Sequence, residues 1–263
     1  MPVRNLRTLI AAAFFLSVIG CSSQNEATSP ALPTVLSPSS LQAGSGVTAE
    51  ICKNNLLPVV QGATWTYLTT GGPNGDFTYS DTITETRTDG FTLTSQFPSL
   101  SLTQDWICSS EGLIARQLGG GTTASVSMQN MITNFKTLEV SGLSIPANIT
   151  PGMQWKYTLL MEGSVAMPGE NTQSPGTFNL TMQEMGRESV TVPAGNFEAI
   201  KLQATFEAQI DVDFQGSPVP YTVHGSSIVW YAPDVGFIKS IENIDFSGTS
   251  FTSNTELQAY NLP

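Results

Sequence analysis

What this chain has little of narrows its chemistry first. It carries one histidine, His224, and three cysteines, too few for a zinc site of ordinary spacing or for a dense disulfide scaffold. Lys and Arg number 10 against 21 Asp and Glu, a formal net charge of −11, and charged residues make up only 12% of the chain. An acidic surface repels phosphate backbones, so no nucleic-acid partner is expected. With so few charges the exterior must be built from Ser, Thr, Asn, Gln and Gly, which suits an exported β protein better than a cytosolic helical one. There is no P-loop, no dinucleotide-binding glycine motif and no G-x-S-x-G elbow.

Long apolar runs are also missing. The strongest, Leu9 to Ile19 (LIAAAFFLSVI), follows Arg4 and Arg7. As a helix it reaches about 16 Å, against about 30 Å of bilayer hydrocarbon. A positive start, a short apolar stretch and then small residues is the order of a secretory signal. The run ends in Val18-Ile19-Gly20-Cys21, which resembles the bacterial lipobox. That resemblance implies diacylglycerol on the Cys21 thiol, cleavage of residues 1–20, and a palmitate-type acyl anchor holding the mature chain to a membrane. Two or three acyl chains give stable anchoring where one gives only marginal binding. Ser22 follows the cysteine, with no retention aspartate, so the expected place is the cell envelope, at the outer membrane or outer cell surface.

Residues 21–50 are rich in Ser, Thr, Pro, Ala and Gly and show no period. Such a stretch buries little and reads as a flexible tether spanning roughly 30 Å. Residues 51–263 are then one β domain. With Cys21 acylated, Cys52 and Cys108 remain and form a natural pair in an oxidising compartment. Closing a loop of about 57 residues would contribute roughly 4 kcal/mol.

Period-two alternation dominates that domain, as in ATWTYLT (63–69), DFTYSDTITETR (76–87) and FTLTSQF (91–97). Turn chemistry separates the runs, at Gly71-Gly72-Pro73-Asn74-Gly75, Asp89-Gly90, Gly119-Gly120-Gly121, Pro193-Ala194-Gly195 and Gly216-Ser217-Pro218. Only Met128 to Leu138 reads as a short helix. The fold class is all-β, an antiparallel meander forming a curved sheet, a half-barrel or a sandwich-like domain. An internal repeat accompanies it. Gly62-Ala-Thr-Trp65-Thr-Tyr67 matches Gly152-Met-Gln-Trp155-Lys-Tyr157, and Trp106 to Gly112 matches Trp230 to Gly236 with the same spacing. The units run from about 54 to 118 and from about 145 to 244. Duplicated aromatic positions usually preserve packing, so Trp65, Tyr67, Trp106, Trp155, Tyr157 and Trp230 are expected in the core. The second unit should hold longer or additional strands around 176–225, because 75 residues separate its tryptophans against 41 in the first.

Thr191-Val192-Pro193-Ala194-Gly195-Asn196-Phe197 and Trp230-Tyr231-Ala232-Pro233-Asp234-Val235-Gly236-Phe237-Ile238-Lys239 carry a resemblance. With the G-x-x-W-x-Y opening they resemble a family of bacterial envelope proteins with V-P-A-G-x-F and W-Y-A-P-x-V-G-x-V-K motifs, whose function is unknown. The resemblance implies an exported β domain and brings no catalytic residues; Ile238 in place of the usual valine is a minor departure.

Candidate chemistry is sparse. His224 lies in a strand-like segment without a serine elbow, so a triad is not expected. Asp211 with Asp213, and Glu184 with Glu188, are carboxylate pairs of the sort a glycosidase uses, which keeps an extracytoplasmic hydrolase as the alternative. Asn74, Asp76, Asp211 and Asp213 are the oxygen ligands a calcium ion would need, but no loop has the density of a calcium motif. No catalytic residue, no metal and no cofactor is therefore assigned. The leading reading is a non-catalytic lipoprotein whose domain binds a ligand (a lipid, a polysaccharide or an envelope protein) or scaffolds envelope components; the methionines would suit an adaptable apolar lining. Cys21→Ala is expected to prevent acylation and processing, read by membrane fractionation and intact mass. A variant that stays membrane-bound at an unchanged mature mass would refute anchoring at Cys21.

Overall fold

Thr, Val, Ile, Tyr and Phe recur through the domain because β-branched and aromatic side chains fit a pleated surface. In the computed structural model of the protein, residues 50–73, 75–119, 132–165, 173–214, 217–246 and 248–263 are described. The leader, Cys21, the tether up to residue 49 and Asn74 lie outside them.

The described chain is nearly all strand. In order come β1 (Thr64–Gly71), β2 (Phe77–Thr86), β3 (Gly90–Gln96), β4 (Ser101–Cys108), β5 (Gly112–Ala115), β6 (Ile132–Gly142) and β7 (Ile145–Pro146). They continue with β8 (Gln154–Val165), β9 (Gln173–Val192), β10 (Gly195–Phe214), β11 (Ser217–Ala232), β12 (Gly236–Phe246) and β13 (Thr249–Asn261). All 13 strands belong to one antiparallel sheet in the order β6-β8-β9-β10-β11-β12-β13-β1-β2-β3-β4-β5-β7. Among the described residues no helix is long and apolar enough to cross a membrane.

The sheet is open but curled. Its edge strands, β6 and β7, are consecutive in sequence, and the two residues between them bond to opposite ends of the sheet. Leu143 N–H donates to the Lys156 carbonyl on β8, and Ser144 N–H donates to the Leu113 carbonyl on β5, both at 3.0 Å. Gly142 makes this crossing feasible: its φ is +78°, and a Cβ there would collide with the Lys156 carbonyl.

The expected helix over Met128–Leu138 is corrected. Ile132–Gly142 is strand β6, paired with β8, and Met128 to Met131 lie outside the described residues. The free ladder of β8 offers more backbone bonds than a weak local helical period, and Ile132, Thr133, Thr137 and Val140 favour the extended form. The tryptophan signatures fall at matching places in two five-strand runs, β1–β5 and β8–β12. Trp65 and Trp155 are the second residues of β1 and β8, Trp106 and Trp230 lie near the ends of β4 and β11, and Gly112 and Gly236 open β5 and β12. The extra length of the second run lies in β9 and β10, each of 20 residues, where β2 and β3 have 10 and 7.

One end of the curl is covered by the segment before β1. A disulfide joins Cys52 to Cys108 at the end of β4. Asn54 Nδ2 donates to the Pro146 carbonyl (3.0 Å), and Asp234 N–H in the β11–β12 turn donates to the Asn55 carbonyl (2.7 Å). Leu56, Val59 and Ala63 are buried beneath. Since Cys52 precedes every strand, the bridge fixes this cap to the sheet across 56 residues. Replacing both cysteines by alanine is expected to cost about 2–5 kcal/mol in urea unfolding. A double variant as stable as the parent would show that the cap holds through its backbone bonds alone.

An amphipathic cavity inside the curled sheet

Alternation sends every second residue inward, and the inward residues differ in kind around the curl. From β8, β9 and β10 come Leu159, Met161, Phe178, Leu180, Met182, Leu202, Ala204 and Phe206, all apolar and buried or partly buried. From the contiguous strands β11, β12, β13, β1, β2, β3 and β4 come Ser227, Ser240, Glu242, Ser253, Thr255, Thr69, Asp81, Ser95 and Gln104, every one buried. Between the two walls lies a cavity of about 250 Å³. Its rings include Trp65, Trp106, Tyr67, Tyr79, Tyr231 and Phe237.

The polar wall is only partly satisfied within the protein. Ser95 Oγ donates to Asp81 Oδ1 at 2.5 Å, Ser253 Oγ donates to Glu242 Oε2 at 3.3 Å, and the hydroxyls of Thr69 and Thr255 bond at 2.9 Å. Gln104 Nε2 donates to the Gln117 carbonyl (3.1 Å), but among the described residues its Oε1 has no partner, and neither has Ser240 Oγ. Burial pushes the Asp81 carboxyl up to about 6, although the Ser95 bond pulls the other way. Burial, and then the negative charge of Asp81, push the Tyr67 and Tyr79 hydroxyls well above their usual range; Glu242 adds to the effect at Tyr79. Tyr231 is pushed up to about 12 by burial and then by Asp81.

The sequence-selected aromatics are all buried, between 1% and 8% exposed, and four of them tie the sheet together. Trp65 Nε1 donates to the Val235 carbonyl (2.6 Å) and Tyr67 Oη to the Phe237 carbonyl (3.1 Å). Trp155 Nε1 donates to the Ser144 carbonyl (3.4 Å) and Tyr157 Oη to the Ala115 carbonyl (2.8 Å). Trp230 Nε1 donates to Glu188 Oε1 (2.7 Å), which, ahead of Lys201, holds that carboxyl below its usual range. Trp106 stacks on Phe91 at 5.4 Å, and its Nε1 has no partner.

The other candidate groups do not converge. His224 points outward from β11, its Nε2 3.8 Å from Asp245 Oδ1. Asp245 accepts from the Gly248 N–H (2.8 Å) and Ser250 Oγ (2.9 Å), which lower its carboxyl. Glu184 accepts from the N–H groups of Gly152 (2.7 Å) and Gly186 (2.9 Å), binding the start of β8 to a bend in β9. Asp211 accepts from its neighbour Gln209 (3.4 Å) and Asp76 from Gly71 N–H (3.1 Å); the side chain of Asp213 lies outside the described residues. Among the described residues no three of His, Cys, Asp and Glu gather as metal ligands would.

Sequence reading misses Asp81, Glu242 and Gln104. A signal is present: Asp81 follows Phe77 and Tyr79 and precedes Ile83 at the same parity, and Glu242 lies between Ile238 and Ile244 in the same way. A carboxylate in the inward phase of a strand marks a polar interior.

A single antiparallel sheet curled round an interior cavity, capped at one end by a disulfide-held segment, defines an all-β fold. The chain belongs to the DUF3108-like family, whose model matches residues 112–257, more than half of it. Among solved structures it is similar to a Parabacteroides distasonis chain assigned as a lipoprotein, with 18% identity, a TM-score of 0.53, and 80% of this chain and 99% of that chain covered. A Bacteroides fragilis chain assigned as exported, with a YmcC-like fold, gives 15% identity and a TM-score of 0.49 over 80% and 100% of the two chains. The Escherichia coli lipoprotein YmcC gives 13% identity and a TM-score of 0.33 over 80% and 87%. No curated protein matches.

Asp81 also predicts a pH dependence. Its carboxyl titrates near 6 when folded and near 3.8 when unfolded, so the fold favours the protonated form. That contribution is complete below the unfolded value and is lost as pH rises through 6, by about 3 kcal/mol in all. Relative to Asp81→Asn, the parent should therefore lose about 3 kcal/mol between pH 3.5 and 7.5, measured by urea unfolding at each pH. A pH-independent difference between the two proteins would place Asp81 in contact with water.

Proposed function

We propose that the protein is an exported lipoprotein, anchored through acyl groups on Cys21, whose β domain takes an apolar ligand into its interior. The observation that carries this reading is the 250 Å³ cavity walled on one side by Phe178, Leu180, Met182, Ala204 and Phe206. Preformed concave sites of mainly apolar lining with a few convergent polar groups are where small molecules bind, typically at about 300–1,000 Å³. This cavity lies just below that range, which suits a short-chain amphiphile or part of a longer lipid.

Membrane attachment is supported by the lipobox-like Val18-Ile19-Gly20-Cys21 and by the lipoprotein assignment of the Parabacteroides chain of similar fold. In this reading residues 1–20 are the leader, 21–50 the tether, and 51–263 a domain of two related units, about 54–118 and 145–244. The address is the outer membrane or outer cell surface. The domain is non-catalytic: Asp81 and Glu242 face a cavity lined by aromatic rings, while the carboxylates that a hydrolase would have used, Glu184, Glu188 and Asp211, serve other bonds.

Native mass spectrometry on residues 22–263, purified from a bacterial periplasm, tests the reading. An adduct of a few hundred daltons that extracts into organic solvent is the expected result (about the mass of one small amphiphile for such a volume). A clean apo mass, unchanged after incubation with short-chain lipids, would overturn ligand uptake and leave scaffolding of envelope components.

A further inference from the structure

Given a domain that takes up a ligand, on which reading the inference rests, the polar half of the cavity says what kind of ligand it is. Among the described residues the lining includes two carboxylates, Asp81 on β2 and Glu242 on β12, and no Lys, Arg or His. Gln104 and Ser240, 3% and 1% exposed, line the same cavity with Oε1 and Oγ that have no hydrogen-bond partner. A buried acceptor left unmade costs free energy, and a carboxylate in a low-dielectric interior holds its charge best beside an opposite one. Gln104 Oε1 and the two carboxylates thus make a positively charged donor the complement of this wall, while Trp106 Nε1 in the same lining is a donor left without a hydrogen-bond partner among the described residues.

The aromatic lining points the same way. Tyr67 and Tyr79 stack with centroids 5.0 Å apart in the wall that holds Asp81, and Trp65 and Tyr231 flank them in the lining. Aromatic faces attract ammonium groups, most strongly where water is excluded. An anionic head, such as a fatty-acid carboxylate or a phosphate, would meet two carboxylates and find no basic side chain in the lining.

We propose that the cavity binds an amphiphile carrying an organic ammonium group. The ammonium hydrogens donate to Asp81, Glu242 and Gln104 Oε1 along the polar wall, and the apolar body lies against Phe178, Leu180 and Phe206. Each N–H then has an oxygen acceptor, since an ammonium offers donors and no acceptor.

Three probes with one alkyl chain separate the charge from the apolar body: octylammonium, octanol and octanoate. They are titrated into residues 22–263, which retain every described residue, with binding read by calorimetry and tryptophan fluorescence. Octylammonium is expected to bind about tenfold or more tighter than octanol, and octanoate more weakly than octanol (tenfold being one ion-pair-sized increment). Glu242→Gln and Asp81→Asn should each reduce that amine-to-alcohol ratio towards unity. Should Asp81→Asn fail to fold, Glu242→Gln alone decides the point. Equal binding of all three probes, or a ratio unmoved in the folded variants, would overturn the ammonium assignment while leaving the apolar-ligand reading standing. Failure of all three to bind would overturn both.

Discussion

The structure depends on a clasp made twice. In each five-strand run a tryptophan and a tyrosine two residues apart point inward from the first strand and donate to main-chain carbonyls of non-adjacent strands or turns. Trp65 and Tyr67 reach Val235 and Phe237 around the start of β12; Trp155 and Tyr157 reach Ser144, just before β7, and Ala115 at the end of β5. A side chain of this size fills the interior with its ring and gives its one polar hydrogen to a carbonyl of another strand or turn. The clasp also explains a glycine. Gly236 has φ of +114°, and a Cβ there would lie 3.3 Å from Trp65 Nε1. The W-x5-G spacing of one unit is therefore partly written by the W-x-Y of the other.

Trp65 and Tyr67 bond across β13 to the start of β12, and Trp155 and Tyr157 join β8 to the β5–β7 end of the sheet, so both sets hold the curl of the sheet. Its edge strands still present a free ladder, the usual liability of an open sheet. The chain handles this with its own backbone: residues 143–144 donate to both ends, and Asn54, Asn55 and the Cys52–Cys108 bridge cover the adjoining rim. The interior volume is thus a consequence of closure.

Much of the architecture is legible from the residues because two-residue alternation and turn chemistry are local signals. ATWTYLT, DFTYSDTITETR and FTLTSQF are strands whose inward parity matches their aromatic positions. The cysteine pair follows from elimination once Cys21 is set aside. Strand β6 is misread because its extended state is imposed by β8, a strand that comes later in the chain. The order of the sheet is also out of reach, since β13 pairs with β1 across nearly the whole domain. The polar wall is legible only in part: the parity of Asp81 and Glu242 with neighbouring apolar residues marks them as inward, but they lie far apart in sequence, and only the fold brings their strands to one cavity.

The inward residues of β8, β9 and β10 give the cavity its apolar side, and those of β11 to β13 and β1 to β4 its polar side. Strands β8, β9 and β10 are long and carry Leu, Met, Ala and Phe inward over many residues, so one wall is mostly hydrocarbon, with Ser164 and Ser174 buried towards the strand ends and Glu184 buried at the bend in β9. Strands β1 to β4 are short, and their inward positions alternate rings with Thr69, Asp81, Ser95 and Gln104. Hydrocarbon is thus set against oxygen across a gap of molecular size. Buried carboxylates and unpartnered acceptors reduce stability, and an entirely apolar core would have been easier to hold together. That a fold so firmly clasped carries them in its interior is the physical reason to assign the polar wall to recognition.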